Sequence, residues 1–134
     1  DEEEQASVQE AMEEYKKGNT QTKEEVASRM KQKYPHLKFW VEHVWTSKAA
    51  DKYDAIISYL LLEWGDRAAQ NFIDRVKHNL TLIEQNPKMF PASQTVPYLR
   101  KATITKHTSL IYQVDNSCLI LLDFRLNKQN KQGI

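Results

Sequence analysis

A chain of 134 residues with formal charge +1 and 40% hydrophobic residues has room for one domain and an appended segment. Its longest apolar runs, such as Tyr59 to Leu62 and Cys118 to Leu122, fall far short of the roughly 20 residues of a membrane-spanning helix. Three glycines, four prolines and 28% charged residues exclude wholesale disorder and collagen-like repeats, and a single cysteine, Cys118, excludes an internal disulfide.

Residues 1–14 hold seven acids and no Lys or Arg. Residues 1–38 hold nine acids and seven bases, a balance of −2; residues 39–134 hold nine acids and twelve bases, a balance of +3. An acidic lead on a basic body reads either as a solvated tail or as a cover for a basic surface.

Residues 5–17 predict a helix, with Val8, Met12 and Tyr15 on one face. Gly18-Asn19 stops it. Thr22-Lys23-Glu24-Glu25 has the capping-box pattern and opens a second helix to about residue 33, with Val26 and Met30 on one face; Pro35 ends it. Two helices with so few apolar positions are not stable alone and need a surface to lie on.

Phe39 to Trp45 alternates and is rich in aromatic and β-branched residues, which predicts a strand. Thr46 or Ser47 caps a helix over 48–63, Trp64-Gly65 breaks it, and a longer helix runs from Asp66 to about Gln85. Residues 87–98, with three prolines, are loop. Strands are expected at Leu99 to Lys106, Ser109 to Asp115 and Cys118 to Phe124. The last is so continuously apolar that it suits a central strand buried on both faces. The expected body is α+β: β-α-α-β-β-β, an antiparallel sheet with a helical hairpin on one face.

The chemistry-bearing residues are few. Three glycines leave no phosphate-binding loop, and His36, His43, His78 and His107 are scattered rather than set at metal spacing. No metal or cofactor is expected. Cys118, within the apolar strand, reads as a small buried hydrophobe. What remains is cationic: Arg100 and Lys101 open one strand, Lys106-His107 ends it, Arg125 closes the last strand, and Lys128 and Lys131 come after it. In a regular antiparallel sheet Arg100 and Arg125 fall on one face, within reach of a polyanion. His107 would transfer a proton near neutral pH. The competing reading is a solvated basic rim that deters strand aggregation.

From Trp45 to Arg125 the sequence resembles the RelE/ParE superfamily of bacterial toxins from type II toxin–antitoxin modules. The resemblance rests on Trp45-Thr46-Ser47-Lys48-Ala49, Ile56-Ile57-Ser58-Tyr59-Leu60, Trp64-Gly65, Ala68 to Phe72, Leu82 to Pro91, Leu99-Arg100-Lys101, Lys106-His107, Leu110 to Val114, and Ile120 to Arg125, in that order and spacing. It implies the same β-α-α-β-β-β fold and one of two targets. RelE-like members cleave mRNA on the ribosome; ParE-like members inhibit DNA gyrase and are not nucleases. By resemblance, Arg100, Lys106, His107 and Arg125 are candidate catalytic or target-contacting residues, with Lys101 and Lys128 as further target contacts. The C-terminal stretch after Arg125 lacks the Tyr or His usual in the nucleases.

Residues 1–38 resemble the C-terminal, toxin-wrapping part of an antitoxin: an acidic helix, Gly18, a short polar stretch, then a capped helix beginning Glu24-Glu25-Val26. This implies an antitoxin-like segment, 1–38, ahead of a toxin domain, 39–134, with Val8, Met12, Tyr15, Val26 and Met30 as its anchors. A natural fusion, a tether and a native extension all fit this pattern. The expected partners are an antitoxin, in cis or as a cognate protein, and the ribosome with its mRNA or DNA gyrase. No membrane partner is expected, the cytoplasm is the expected compartment, and the oligomeric state stays open. The rival reading is a non-toxic binding module with its own N-terminal helical extension.

Overall fold

The computed structural model describes residues 2–93, 96, 98–115 and 118–127. The first helix, α1, spans Glu2–Lys16, with Glu2, Glu3 and Glu4 in its first turn and Lys16 in its last, where each charge suits the helix dipole. Gly18 takes φ +77, a left-handed conformation that ends the helix without a Cβ clash. A two-residue strand, β1, comes next at Thr20–Gln21. The second helix, α2, spans Lys23–Lys33 and opens on the expected capping box. The Glu25 amide donates to Thr22 Oγ1 at 3.1 Å, and the Thr22 amide donates to Glu25 Oε1 at 3.1 Å.

Strand β2 spans only Val44–Thr46, shorter than the expected Phe39 to Trp45. The reason is local. His43 has φ +74, which breaks the extended run, and Phe39 turns into the core instead of joining a ladder. Helix α3, Ser47–Trp64, starts at Thr46, whose Oγ1 accepts from the Ala49 amide at 3.0 Å and donates to the Leu122 carbonyl at 2.7 Å. Gly65, at φ +91, joins α3 to α4, Asp66–Gln85. Strands β3 (Leu99–Thr105), β4 (Thr108–Asp115) and β5 (Cys118–Leu126) complete the chain order.

The strands form one sheet in the order β1-β2-β5-β4-β3. The α+β class and the helical hairpin agree with expectation, but the sheet is mixed rather than wholly antiparallel. β2 runs parallel to β5, with Val44 opposite Ile120, while the other pairs are antiparallel. The hairpin α3–α4 carries the chain from β2 to the far edge, and β3, β4 and β5 then step back toward it. Two antiparallel pairings leave β5 pointing the same way as β3, and both run the same way as β2. As expected, β5 is central and buried on both faces from Leu119 to Phe124. Cys118, in contrast, is exposed at the first position of β5, before the buried run begins, and is not the buried hydrophobe the pattern suggested.

Each sheet face has its own core. On one face α2, α3 and α4 pack around Trp45, Tyr53, Phe72 and Phe124, whose rings lie 5.0–6.3 Å apart, centre to centre, in several tilted or stacked pairs. On the other face Val8, Ala11 and Met12 of α1 cover Leu99, Ile111, Ile120 and Leu122.

A β-bulge decides which side chains at the end of β5 face α1. Ile111 pairs with Asp123 but Tyr112 pairs with Leu121, so Leu122 is the extra residue in β5. Beyond it the alternation is inverted: Phe124 enters the hairpin-side core, and Asp123 and Arg125 turn toward α1.

Candidate functional site

The candidate site is the surface covered by residues 1–38, and it is built from complementary charge around apolar anchors. Val8 and Met12, predicted anchors, are buried on the sheet, and Tyr15 packs at the same cluster's edge. Burying a side chain such as Val8 or Met12 stabilises by about 1.5–3 kcal/mol. Around that stripe the acids of α1 meet bases of the body. Glu4 pairs with Lys101 at 2.6 Å, Glu10 with Lys48 at 2.9 Å, and Glu3 lies 3.9 Å from Arg125. The Lys48 amide, at the start of α3, donates to Glu14 Oε1 at 3.0 Å. The hydrogen bond and charge of Lys48 hold the Glu10 carboxyl below its ordinary range. Two neutral donors complete the contact. Ser7 Oγ donates to the buried Asp123 carboxylate at 2.6 Å, and Tyr15 Oη donates to Asp115 at 2.7 Å, which raises the phenol's pKa.

The segment then crosses the sheet edge. β1 pairs antiparallel with β2, Thr20 opposite Thr46, so main-chain hydrogen bonds extend the sheet by a strand from residues 1–38. On the far side α2 buries Val26 and Met30, both fully, in the larger core. Beside them Asp54 of α3, 4% exposed, takes donors from three residues of the segment. Arg29 Nε and Nη2 lie at 3.2 and 2.9 Å, Lys33 Nζ is 3.0 Å from both carboxylate oxygens, and the Tyr34 hydroxyl completes the set. Burial works to raise the Asp54 pKa, but the bonds from Tyr34, Lys33 and Arg29 outweigh it and hold the carboxyl below its ordinary value. The segment is thus a clip: α1 on one face, β1 on the edge, α2 on the other face.

Residues 44–132 match the family model described as ParE toxin of type II toxin–antitoxin system, parDE. The chain belongs to the ParE toxin family. A solved structure described as a chromosomal ParDE TA system from P. aeruginosa has a similar fold. Its TM-score is 0.53 at 22% identity, and the match covers 63% of this chain and 92% of that one. A comparison with curated proteins finds no match. The family match opens at Val44, the first residue of β2, and so takes in the sheet strands β2 to β5 and both hairpin helices but neither α1 nor α2.

On this ParE-family body the expected cationic cluster is not gathered in one place. Arg100 lies opposite Tyr112, on the hairpin side. Its guanidinium donates to the carbonyls of Phe90 at 2.7 Å and Lys88 at 3.4 Å, so it ties the loop after α4 to the sheet. Arg125 lies on the opposite face, toward α1, contrary to the expectation that both share one face. Regular alternation from Leu121 would have put them together; the bulge at Leu122 separates them. Lys101 joins Arg125 on the α1 side. Lys106 and His107 form the exposed turn between β3 and β4, where Asn127 holds both carbonyls. Lys128 lies outside the described residues.

Sequence reasoning passed over Lys48, Lys52, Asp54, Ser7 and Asp123. A signal existed for α3: Lys48 and Lys52 stand one helical turn apart, as do Asp51 and Asp54 within three residues, so one helix carries a basic face and an acidic face. The first meets acidic α1 and Asp123; the second meets basic Arg29 and Lys33. Among the described residues no group of three or more His, Cys, Asp or Glu is placed to hold a metal, and no helix is long and apolar enough to cross a membrane.

Proposed function

We propose that residues 39–134 are the toxin domain and that residues 1–38 neutralise it in the same chain. The observation that carries this reading is the clip itself. It places acids on the body's bases, bases on its acids, apolar anchors on both sheet faces and a strand on the exposed edge. Removing it would uncover Leu99, Ile111, Ile120 and Leu122 with Lys48, Lys101 and Arg125 around them. That is a mixed apolar and cationic surface of the kind that binds another macromolecule.

For the target, DNA gyrase is favoured over mRNA on the ribosome. A phosphate-cleaving centre needs its cations converged on one reacting group. Arg100 and Arg125 stand on opposite faces, and Arg100 already donates to two carbonyls. ParE-like members of the superfamily are the gyrase-directed ones. The test is a full chain carrying a protease site at the exposed Pro35-His36 turn, cut and stripped of residues 1–38. The released body is expected to inhibit gyrase supercoiling and to leave ribosome-bound mRNA intact. Cleaved mRNA with unaffected gyrase would reverse the target; neither effect would favour a binding module without toxicity.

A further inference from the structure

Residues 1–38 leave a large concavity open among the described residues. A groove of about 1280 Å³ lies between the outer side of the α3–α4 hairpin and the strand ends at the β3–β4 turn and β5. A helix about 10 Å across and about 15 Å long, roughly ten residues, occupies a comparable volume. The groove floor is apolar, from Ile56, Leu60 and Phe72. Tyr59, Trp64 and Leu126 stand at its sides, 58%, 71% and 70% exposed. Among the described residues these are three of the eight large hydrophobics left exposed, and the groove brings the three together.

Cations outnumber acids in the groove lining, although Lys52 is already paired with Asp123 at 3.3 Å. Lys52, Arg75, Lys101 and Arg125 contribute cations, and the acids are Glu3 and Glu4, both from the first turn of α1. Arg75 has no acidic partner among the described residues. Arg125 is 13% exposed, its Nε is buried with no hydrogen-bond partner among the described residues, and the Glu3 carboxylate stands 3.9 Å from its Nη2. A guanidinium held this deep with so little pairing is unfavourable until an anion completes it. The anions that reach Lys101 and Arg125 in the structure are carboxylates on a helical turn, beside an apolar floor. That combination fits an acidic helix better than the bare phosphates of a nucleic acid.

We propose that this groove docks an acidic amphipathic helix of a partner protein, which competes with the first turn of α1 for Lys101 and Arg125. Apolar anchors of the incoming helix lie on Tyr59, Trp64 and Leu126, and its acids meet Arg75 and Arg125. The groove is open while α2 and the rest of α1 stay seated, so docking does not require the clip to leave. It does draw two basic partners from Glu3 and Glu4.

The test uses the full chain and a fluorescein-labelled helical peptide of about 16 residues, glutamates on one face and leucines on the other, tracked by anisotropy. Saturable binding in the micromolar range is expected. Arg75→Glu and Trp64→Ala should each weaken it by about tenfold or more, and Glu3→Gln with Glu4→Gln should tighten it. The side chains of Arg75 and Trp64 are exposed, so unchanged circular dichroism in both variants is expected alongside. Absence of saturable binding, binding indifferent to Arg75→Glu, or tighter binding of a single-stranded DNA oligonucleotide of equal length would overturn the proposal. None of these outcomes depends on toxicity, so failure here leaves the in-cis neutralisation reading untouched, and the reverse holds as well.

Discussion

Replacing Asp54 by Ala should loosen the clip on its α2 side. Asp54 is the single buried carboxylate on which Arg29, Lys33 and Tyr34 converge. A hydrogen bond to a charged group contributes about 1.5–3 kcal/mol when desolvated. The Arg29 and Lys33 side chains are 34% and 52% exposed, so solvent screens much of their attraction. The net loss is therefore expected to be ~2 kcal/mol rather than the several expected of a fully buried triad. That corresponds to about a 30-fold rise in the open fraction of α2. Hydrogen exchange of the α2 amides reads it directly, with Arg29→Met and the double variant closing a thermodynamic cycle. The pH dependence has a definite sign. The folded carboxyl sits below its unfolded value, so its contribution is complete above the ordinary carboxylate pKa and is lost as pH falls through the folded value. Unchanged exchange in Asp54→Ala, or additive effects in the double variant, would refute the latch.

Other perturbations separate the remaining contacts. Met30→Ala, at a fully buried site in the larger core, is expected to cost about 2–4 kcal/mol and lower the melting temperature accordingly. Thr46→Ala removes both the α3 cap and the bond to the Leu122 carbonyl, and about 1–2 kcal/mol should be lost in denaturant unfolding. Glu10→Gln removes a pair whose acid is open to solvent, and thermal melts should not resolve it from the parent chain. Arg100→Ala should increase exchange in the loop after α4, through loss of its bonds to Phe90 and Lys88, and leave α1 protection unchanged.

The features legible in the sequence are those fixed by neighbouring residues. The limits of α2 come from Thr22 and Glu25 at one end and Pro35 at the other. Gly65 divides the hairpin where Trp64-Gly65 suggested, and the apolar density of β5 announced a strand buried on both faces. What sequence did not carry depends on distant partners. The bulge at Leu122 is a register event between β4 and β5, and counting alternate residues along β5 alone assigns Arg125 to the wrong face. The shortening of the strand before Trp45 depends on a left-handed His43, a conformation that no local pattern demands. β1, two residues long, is a strand only because β2 offers an edge. The anchors Val8, Met12, Val26 and Met30 were readable because helical spacing marks a face that must be covered. Which sheet face each covers was not.

The central claim is that residues 1–38 restrain the toxin domain they wrap. It is tested most directly by viable counts of bacteria induced to make residues 39–134 alone, the same with residues 1–38 supplied as a separate peptide, and the full chain. Loss of viability is expected from the isolated body, with recovery when the segment is supplied and no loss from the full chain. Equal viability in all three, with the body shown to be soluble and folded, would contradict it.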